Sequence, residues 1–127
     1  EMESVSDGKR VCTDDGTCGV KGFVTDELEE MLGGLDLVVA VGPVAMMKAV
    51  AELTEKKVEC IVSLNPIMVD GTGMCGSCRV VVDGEVRFAC VDGPDFDAHK
   101  VDFEELSNRN TQYVDKERHA MRCLEDK

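Results

Sequence analysis

The segment from Asp70 to Cys90 constrains this chain more than any other. It reads Asp70-x4-Cys75-x2-Cys78-x11-Cys90, with Gly71, Gly73 and Gly76 set among the first three of these residues. Glycines at this density allow positive φ and close backbone approach, so the stretch is a loop that folds back on itself. Arg79 to Val82 and Val86 to Ala89 are short β-prone runs flanking Asp83-Gly84. Asp-Gly between two such runs marks a tight hairpin. The hairpin returns Cys90 to the loop, so the fold must include a thiol-bearing glycine loop backed by two strands.

The spacing carries chemistry. Plant-type [2Fe–2S] sites use C-x4-C-x2-C followed by a distant cysteine. Here Asp70 stands where the first thiolate would be. A carboxylate binds iron, although it is a harder ligand than thiolate. The pattern therefore favours a cluster held by Asp70, Cys75, Cys78 and Cys90, with Cys60 and Cys123 as further donors for the fourth position. Two alternatives stay open. A structural zinc site normally closes with Cys or His, so Cys3Asp would be unusual; plain thiols are the other. A CxxC redox dithiol needs a helix start after a strand, and this pair precedes a strand. Arg79 and Arg87 either offset the anionic ligands or are solvated hairpin residues.

Composition narrows the rest. Seven cysteines, an odd count at uneven spacing, do not read as a disulfide framework. No secretion signal is readable, and the expectation is a reducing cytoplasm. Cys60 and Cys12 read as small core residues, Cys18 as exposed in a polar turn, and Cys123 as lacking a local partner. His99 and His119 read as surface residues. Fourteen basic against 26 acidic residues give a net charge of −12, which argues against gripping nucleic acid or an anionic membrane. The longest nearly apolar stretch, Leu37 to Met47, is interrupted by Gly42-Pro43 and falls short of the ~20 residues of a membrane span.

The chain divides into three expected segments. Residues 1–64 alternate in the α/β manner. Val11 to Thr13 ends a strand before the polar turn Thr13 to Thr17. Thr25 to Leu32 forms a helix capped by Thr25 or Asp26 and stopped by Gly33-Gly34. Leu37 to Val41 is a continuous apolar run, fitting a strand covered on both faces of a parallel sheet. Pro43 opens a helix from Val44 to Glu55, and Val58 to Leu64 is the next strand, completing a βαβ unit. Residues 65–98 are the loop and hairpin. Residues 99–127 are an acidic tail with helices from Asp102 and from Gln112. Gly42-Pro43, at the end of a buried strand, lies where α/β sheets place ligands, while Met46 and Met47 read mainly as helix packing. Neither a G-x-G-x-x-G nor a P-loop is present.

Three motifs in order carry a family resemblance: Thr13 to Asp26 (TDDGTCGVKGFVTD), Ala40 to Met47 (AVGPVAMM), and Asp70 to Pro94 (DGTGMCGSCRV, then FACVDGP). Together they resemble the C-terminal half of ferredoxin–NADP-reductase-like FAD/NAD-binding electron-transfer subunits. That group includes the electron-transfer subunit of dihydroorotate dehydrogenase and the small subunit of NADH-dependent reduced ferredoxin:NADP oxidoreductase, also described as a sulfide dehydrogenase or hydrogenase-related subunit. Asp70 and the stretch Pro94 to Leu106 resemble the second type more. The resemblance implies an α/β fold: part of a doubly wound parallel-sheet nucleotide-binding domain, then a small [2Fe–2S] module and a helical tail. It implies that Thr13, Asp14, Asp15, Gly16, Gly19 and Gly22 line the nicotinamide nucleotide. Gly42, Pro43 and Met46 would form the turn near nicotinamide or flavin. FAD and NAD(P) belong to the full-length subunit, which would work beside a larger flavin/iron–sulfur partner subunit, with NAD(P)H and ferredoxin as redox partners. On this reading the chain is a C-terminal piece that does not turn over alone.

Overall fold

A computed structural model describes residues 6–125. Residues 1–5 and 126–127, the outer ends of the first and last expected segments, lie outside the described residues. The architecture is mixed α/β, as expected. β1 (Cys12–Thr13) and β2 (Val20–Lys21) form a two-residue parallel ladder. α1 (Val24–Met31) follows. Its cap is Phe23 rather than Thr25 or Asp26, because Asp26 sits at the third helical position. From there its Oδ2 accepts the Phe23 N–H at 3.1 Å. A 3-10 turn, Leu32–Gly34, ends the helix at the expected glycine pair.

The βαβ unit is present: β3 (Leu37–Ala40), α2 (Val44–Thr54) and β4 (Glu59–Ser63), with β3 and β4 parallel. Pro43 stands one residue before the first helical position and accepts the Met47 N–H at 3.0 Å. The expectation that both faces of the Leu37–Val41 run are covered does not hold among the described residues. Val38 and Ala40 are buried against α2, while Leu37, Val39 and Val41 are 46%, 59% and 69% exposed. Successive strand residues point to opposite faces, and the packed helix serves only one of them.

A third strand joins this sheet from the stretch expected to be the end of the loop-and-hairpin segment. β7 (Asp95–Asp97) pairs antiparallel with β4, giving the order β3-β4-β7. Between β4 and β7 lie the glycine loop and the hairpin of β5 (Arg79–Val82) and β6 (Glu85–Phe88). Asp83 and Gly84 both have positive φ, 56° and 75°, the backbone a two-residue primed turn demands. A short helix, α3 (Ala89–Asp92), follows β6. After a 3-10 turn at Ala98–Lys100 come α4 (Phe103–Asn110) and α5 (Val114–Glu125). Asp102 caps α4 by accepting the Glu104 and Glu105 N–H groups.

One core joins the parts. Val38, Met47, Val50, Cys60 and Val62 of the βαβ unit share it with Val80, Val82, Phe103 and Leu106. Burying each large apolar side chain contributes about 2 kcal/mol, so the hairpin and α4 are integral to the same hydrophobic unit. Cys60 is fully buried, as expected, and Cys12 half-buried. Among the described residues, no helix is long and apolar enough to cross a membrane.

Candidate functional site

The glycine loop is organised by Asp70. Its Oδ1 accepts the Thr72 N–H at 2.9 Å and its Oδ2 accepts the Cys75 N–H at 3.0 Å. These bonds, that from Thr72 first, hold the carboxyl below its ordinary range. Gly71, Gly73 and Gly76 all take positive φ, so the loop uses the freedom its composition offers. Gly73 also sits close under Val91: a Cβ there would lie 3.2 Å from it, a tight contact.

The hairpin brings the last cysteine home. Cys78 precedes β5 and Cys90 lies on α3, and their sulfurs are 3.2 Å apart. The Ala89 N–H donates to the Cys78 carbonyl at 3.1 Å, and the Phe88 N–H to Asp92 Oδ2 at 2.7 Å, fixing the turn that carries Cys90. The neighbouring Cys78 thiol pushes the Cys90 thiol up, helped by partial burial and opposed by a Gly73 N–H. Asp70 acts on Cys90 in the same upward direction. Cys75 is exposed, and its sulfur accepts the Ser77 N–H at 3.4 Å. Of the four expected ligands, Cys78 and Cys90 thus meet at sulfur, while Asp70 reaches Cys75 through its main-chain N–H. Among the described residues, no three His, Cys, Asp or Glu side chains converge on a point that would hold one metal ion.

This donor set fits a two-iron cluster better than a single ion. Each iron of a [2Fe–2S] unit takes two protein ligands, so the Cys78–Cys90 pair suits one iron, while tetrahedral zinc needs four donors around one point. Main-chain N–H groups already face two of the sulfurs, which suits ligands that will carry negative charge. A cation from outside the hairpin is bonded to the loop. Arg87 is occupied by Glu85 at 2.6 Å and Arg79 is exposed. Arg109 of α4 instead donates to the Ser77 carbonyl at 3.2 Å. Nothing in local sequence marks this contact, which spans thirty-two residues. Cys123, expected to lack a local partner, has His119 one helical turn away at 3.8 Å, and His99 Nε2 lies 3.1 Å from Thr54 Oγ1.

The second candidate region is the turn between β1 and β2. Thr13 Oγ1 donates to the Cys18 carbonyl at 2.9 Å, and Asp15 Oδ1 accepts both the Thr17 N–H and its hydroxyl. Those bonds from Thr17 hold the Asp15 carboxyl below its ordinary range. Gly19 has φ +73°, and a Cβ there would lie 2.0 Å from the Val11 carbonyl oxygen, so only glycine fits. Gly22 donates its N–H to the Thr13 carbonyl, as does Gly16. Asp14 and Cys18 are exposed. At the βα turn, a Cβ on Gly42 would lie 2.7 Å from Met46 Cε, so Met46 is laid over Gly42 beside Pro43. One apolar depression is lined by Val24 and Leu28 of α1 together with Val41 and Met46, which places the start of α1 beside the βα turn.

Comparison with known proteins points to the same segment. Residues 65–102 match the iron–sulfur cluster binding domain of dihydroorotate dehydrogenase B. Over 93% of its length the chain is 50% identical to a homologue of the dihydroorotate dehydrogenase B (NAD(+)) electron transfer subunit from Thermotoga maritima, covering 43% of that protein. It is 41% identical, over 73% of its length, to the corresponding subunit from Caldanaerobacter subterraneus, covering 40% of it. A chain from the structure of the NADH-dependent reduced ferredoxin–NADP oxidoreductase, studied for flavin-based electron bifurcation, superposes over 95% of this chain with a TM-score of 0.84 and 46% identity. This chain covers 45% of that one. The chain therefore spans less than half the length of these relatives and is related to them over most of its own.

Proposed function

We propose that this chain is part of the electron-transfer subunit of an oxidoreductase, in which Asp70, Cys75, Cys78 and Cys90 hold a [2Fe–2S] cluster. The observation that carries the reading is the meeting of the Cys78 and Cys90 sulfurs at 3.2 Å beside the loop that Asp70 shapes through the Thr72 and Cys75 N–H groups. The match of residues 65–102 to an iron–sulfur binding domain supports it. In the whole subunit, FAD and the cluster, when bound, supply the exchange between two-electron and one-electron steps. The chain's own residues orient and shield. Asp70 shapes the loop through two N–H groups, the Ser77 and Gly73 N–H groups face sulfur, and Val91 closes against Gly73. Thr13, Asp14, Asp15, Gly16, Gly19 and Gly22 serve a nicotinamide nucleotide, NADH or NADPH, and Gly42, Pro43 and Met46 lie near the nicotinamide or flavin. The bare β3 face suits a further layer of the nucleotide-binding domain. The partner is a larger flavin/iron–sulfur subunit, with ferredoxin as a further redox partner.

A dihydroorotate dehydrogenase type of subunit is the alternative, favoured by the names of the curated relatives. Anaerobic reconstitution with iron and sulfide tests the common part. The expected product is brown, with two irons and two acid-labile sulfides per chain and an EPR signal on reduction. A colourless protein taking up one zinc would overturn it.

A further inference from the structure

Arg109 belongs to no motif, yet it is the side chain that joins α4 to the glycine loop. Its Nη2 donates to the Ser77 carbonyl at 3.2 Å, and the side chain as a whole is only 22% exposed. Ser77 lies between the two cysteines of the Cys75-x2-Cys78 pair. Its own N–H donates to Cys75 sulfur at 3.4 Å, and its carbonyl belongs to the peptide leading into Cys78. One residue is thus gripped from inside by a ligand sulfur and from outside by a cation.

The grip is built from α4. Glu105, one turn back on the helix, lies 3.8 Å from Arg109 Nε, and its second oxygen is buried without a partner. A carboxylate in that position orients the guanidinium and limits its escape to water. α4 is itself rigidly placed. Phe103 and Leu106 are buried in the core with Val80 and Val82 of β5, and Asp102 caps its start. A partly buried hydrogen bond from a charged group is stronger than a neutral one, and positive charge beside an anionic centre favours its more negative state.

We infer that Arg109 is a positioning residue for the proposed cluster: it pins the Ser77–Cys78 peptide of the ligand loop and holds a positive charge beside it. The inference rests on the proposed function for its redox part alone. The pinning itself is a property of the chain without metal.

Two measurements on the full chain separate these. In the metal-free protein, hydrogen–deuterium exchange at residues 71–78 should speed up about tenfold in Arg109→Gln, with β3 and β4 unchanged. Unchanged loop exchange would overturn the pinning whatever metal is bound. In the reconstituted protein, Arg109→Gln should lower the midpoint potential, because loss of a positive charge disfavours the added electron. A threefold change in the oxidised-to-reduced ratio corresponds to about 28 mV for a one-electron couple. Arg109→Lys keeps the charge and loses the planar fork, so its potential should stay near that of the unsubstituted protein. A Lys variant shifted as far as the Gln variant would overturn the electrostatic part. Failure of the unsubstituted chain to take up iron would defeat the proposed function, and with it the redox part, while leaving the exchange result to decide the pinning.

Discussion

The chain contains the same triplet twice, Asp15-Gly16-Thr17 and Asp70-Gly71-Thr72, and the two copies are used differently. In both, the aspartate Oδ1 accepts the N–H of the threonine two residues on, at 3.0 Å and 2.9 Å. In both, the glycine has positive φ, 76° and 73°. At Asp15 the same oxygen also takes the Thr17 hydroxyl, and the turn closes on itself between β1 and β2. At Asp70 the second oxygen takes the Cys75 N–H, and the loop is finished by groups from afar, Cys90 on α3 and Arg109 on α4. One local turn chemistry thus makes a self-contained loop in one place and a loop dependent on distant anchors in the other. The first is suited to presenting main-chain groups to a ligand at the surface, the second to gathering thiols.

The comparison can be broken most severely at the sulfurs. Cys78→Ser should abolish iron uptake, read as loss of visible absorption after reconstitution, whereas Cys18→Ser in the first turn should leave it intact. Iron loss in both variants would mean that the two loops share one site. Next come the glycines. Gly19→Ala forces a Cβ to 2.0 Å from the Val11 carbonyl oxygen and should cost about 3 kcal/mol in thermal or denaturant unfolding. Gly71→Ala meets nothing within 4 Å and should cost only its backbone strain, about 1 kcal/mol. Equal costs would remove the distinction between a packed turn and an open loop.

Asp70→Ala should hasten loss of iron about tenfold, since a hydrogen bond to a charged group contributes roughly 1.5–3 kcal/mol. Asp70→Cys should retain iron with an altered EPR spectrum. Unchanged retention and spectra in both would show that the carboxylate is no ligand. Asp15→Ala should change neither. The smallest effect concerns pH. The Asp15 carboxyl lies below its ordinary value of 3.8. Its contribution to the turn is therefore complete above that value and is lost as pH falls through the lower, folded one. An NMR titration of the Thr17 amide should show its midpoint below 3.8; a midpoint at or above it would separate the carboxylate from the turn.

Local signals in the sequence marked what depends on neighbours. Asp83-Gly84 announced the hairpin because both residues tolerate positive φ, and the apolar runs around Gly42-Pro43 announced strand, helix and strand. The spacing of Asp70, Cys75, Cys78 and Cys90 announced a thiol-bearing loop, and the structure brings Cys78 and Cys90 together. What escaped is set by distant partners. β7 is three residues, Asp-Phe-Asp, whose strand character comes from pairing with β4. Arg109 carries no local signal for a carbonyl thirty-two residues away. The exposure of Leu37, Val39 and Val41 was hidden because hydrophobicity states which residues favour burial, while the packed layers decide which obtain it. The cap of α1 lies two or three residues earlier than expected, at Phe23, because Asp26 caps from inside the helix rather than before it.

The antiparallel pairing of β7 with β4 has a consequence for how such a protein can vary. Ser63 lies opposite Asp95, and the Leu64 N–H donates to the Pro94 carbonyl at 2.9 Å. The polypeptide leaves the sheet and rejoins it at one spot, so residues 65–93 form a graft on that stem, tied a second time where Val81 and Asp83 bond through the main chain to Asp102 and Lys100. Such a graft can be lengthened, shortened or exchanged while the stem keeps its register. What resists exchange is its underside, where Val80 and Val82 meet Leu106 in the core. Swaps between grafts should therefore succeed when β5 and α4 travel together, as stock and scion cut from one plant.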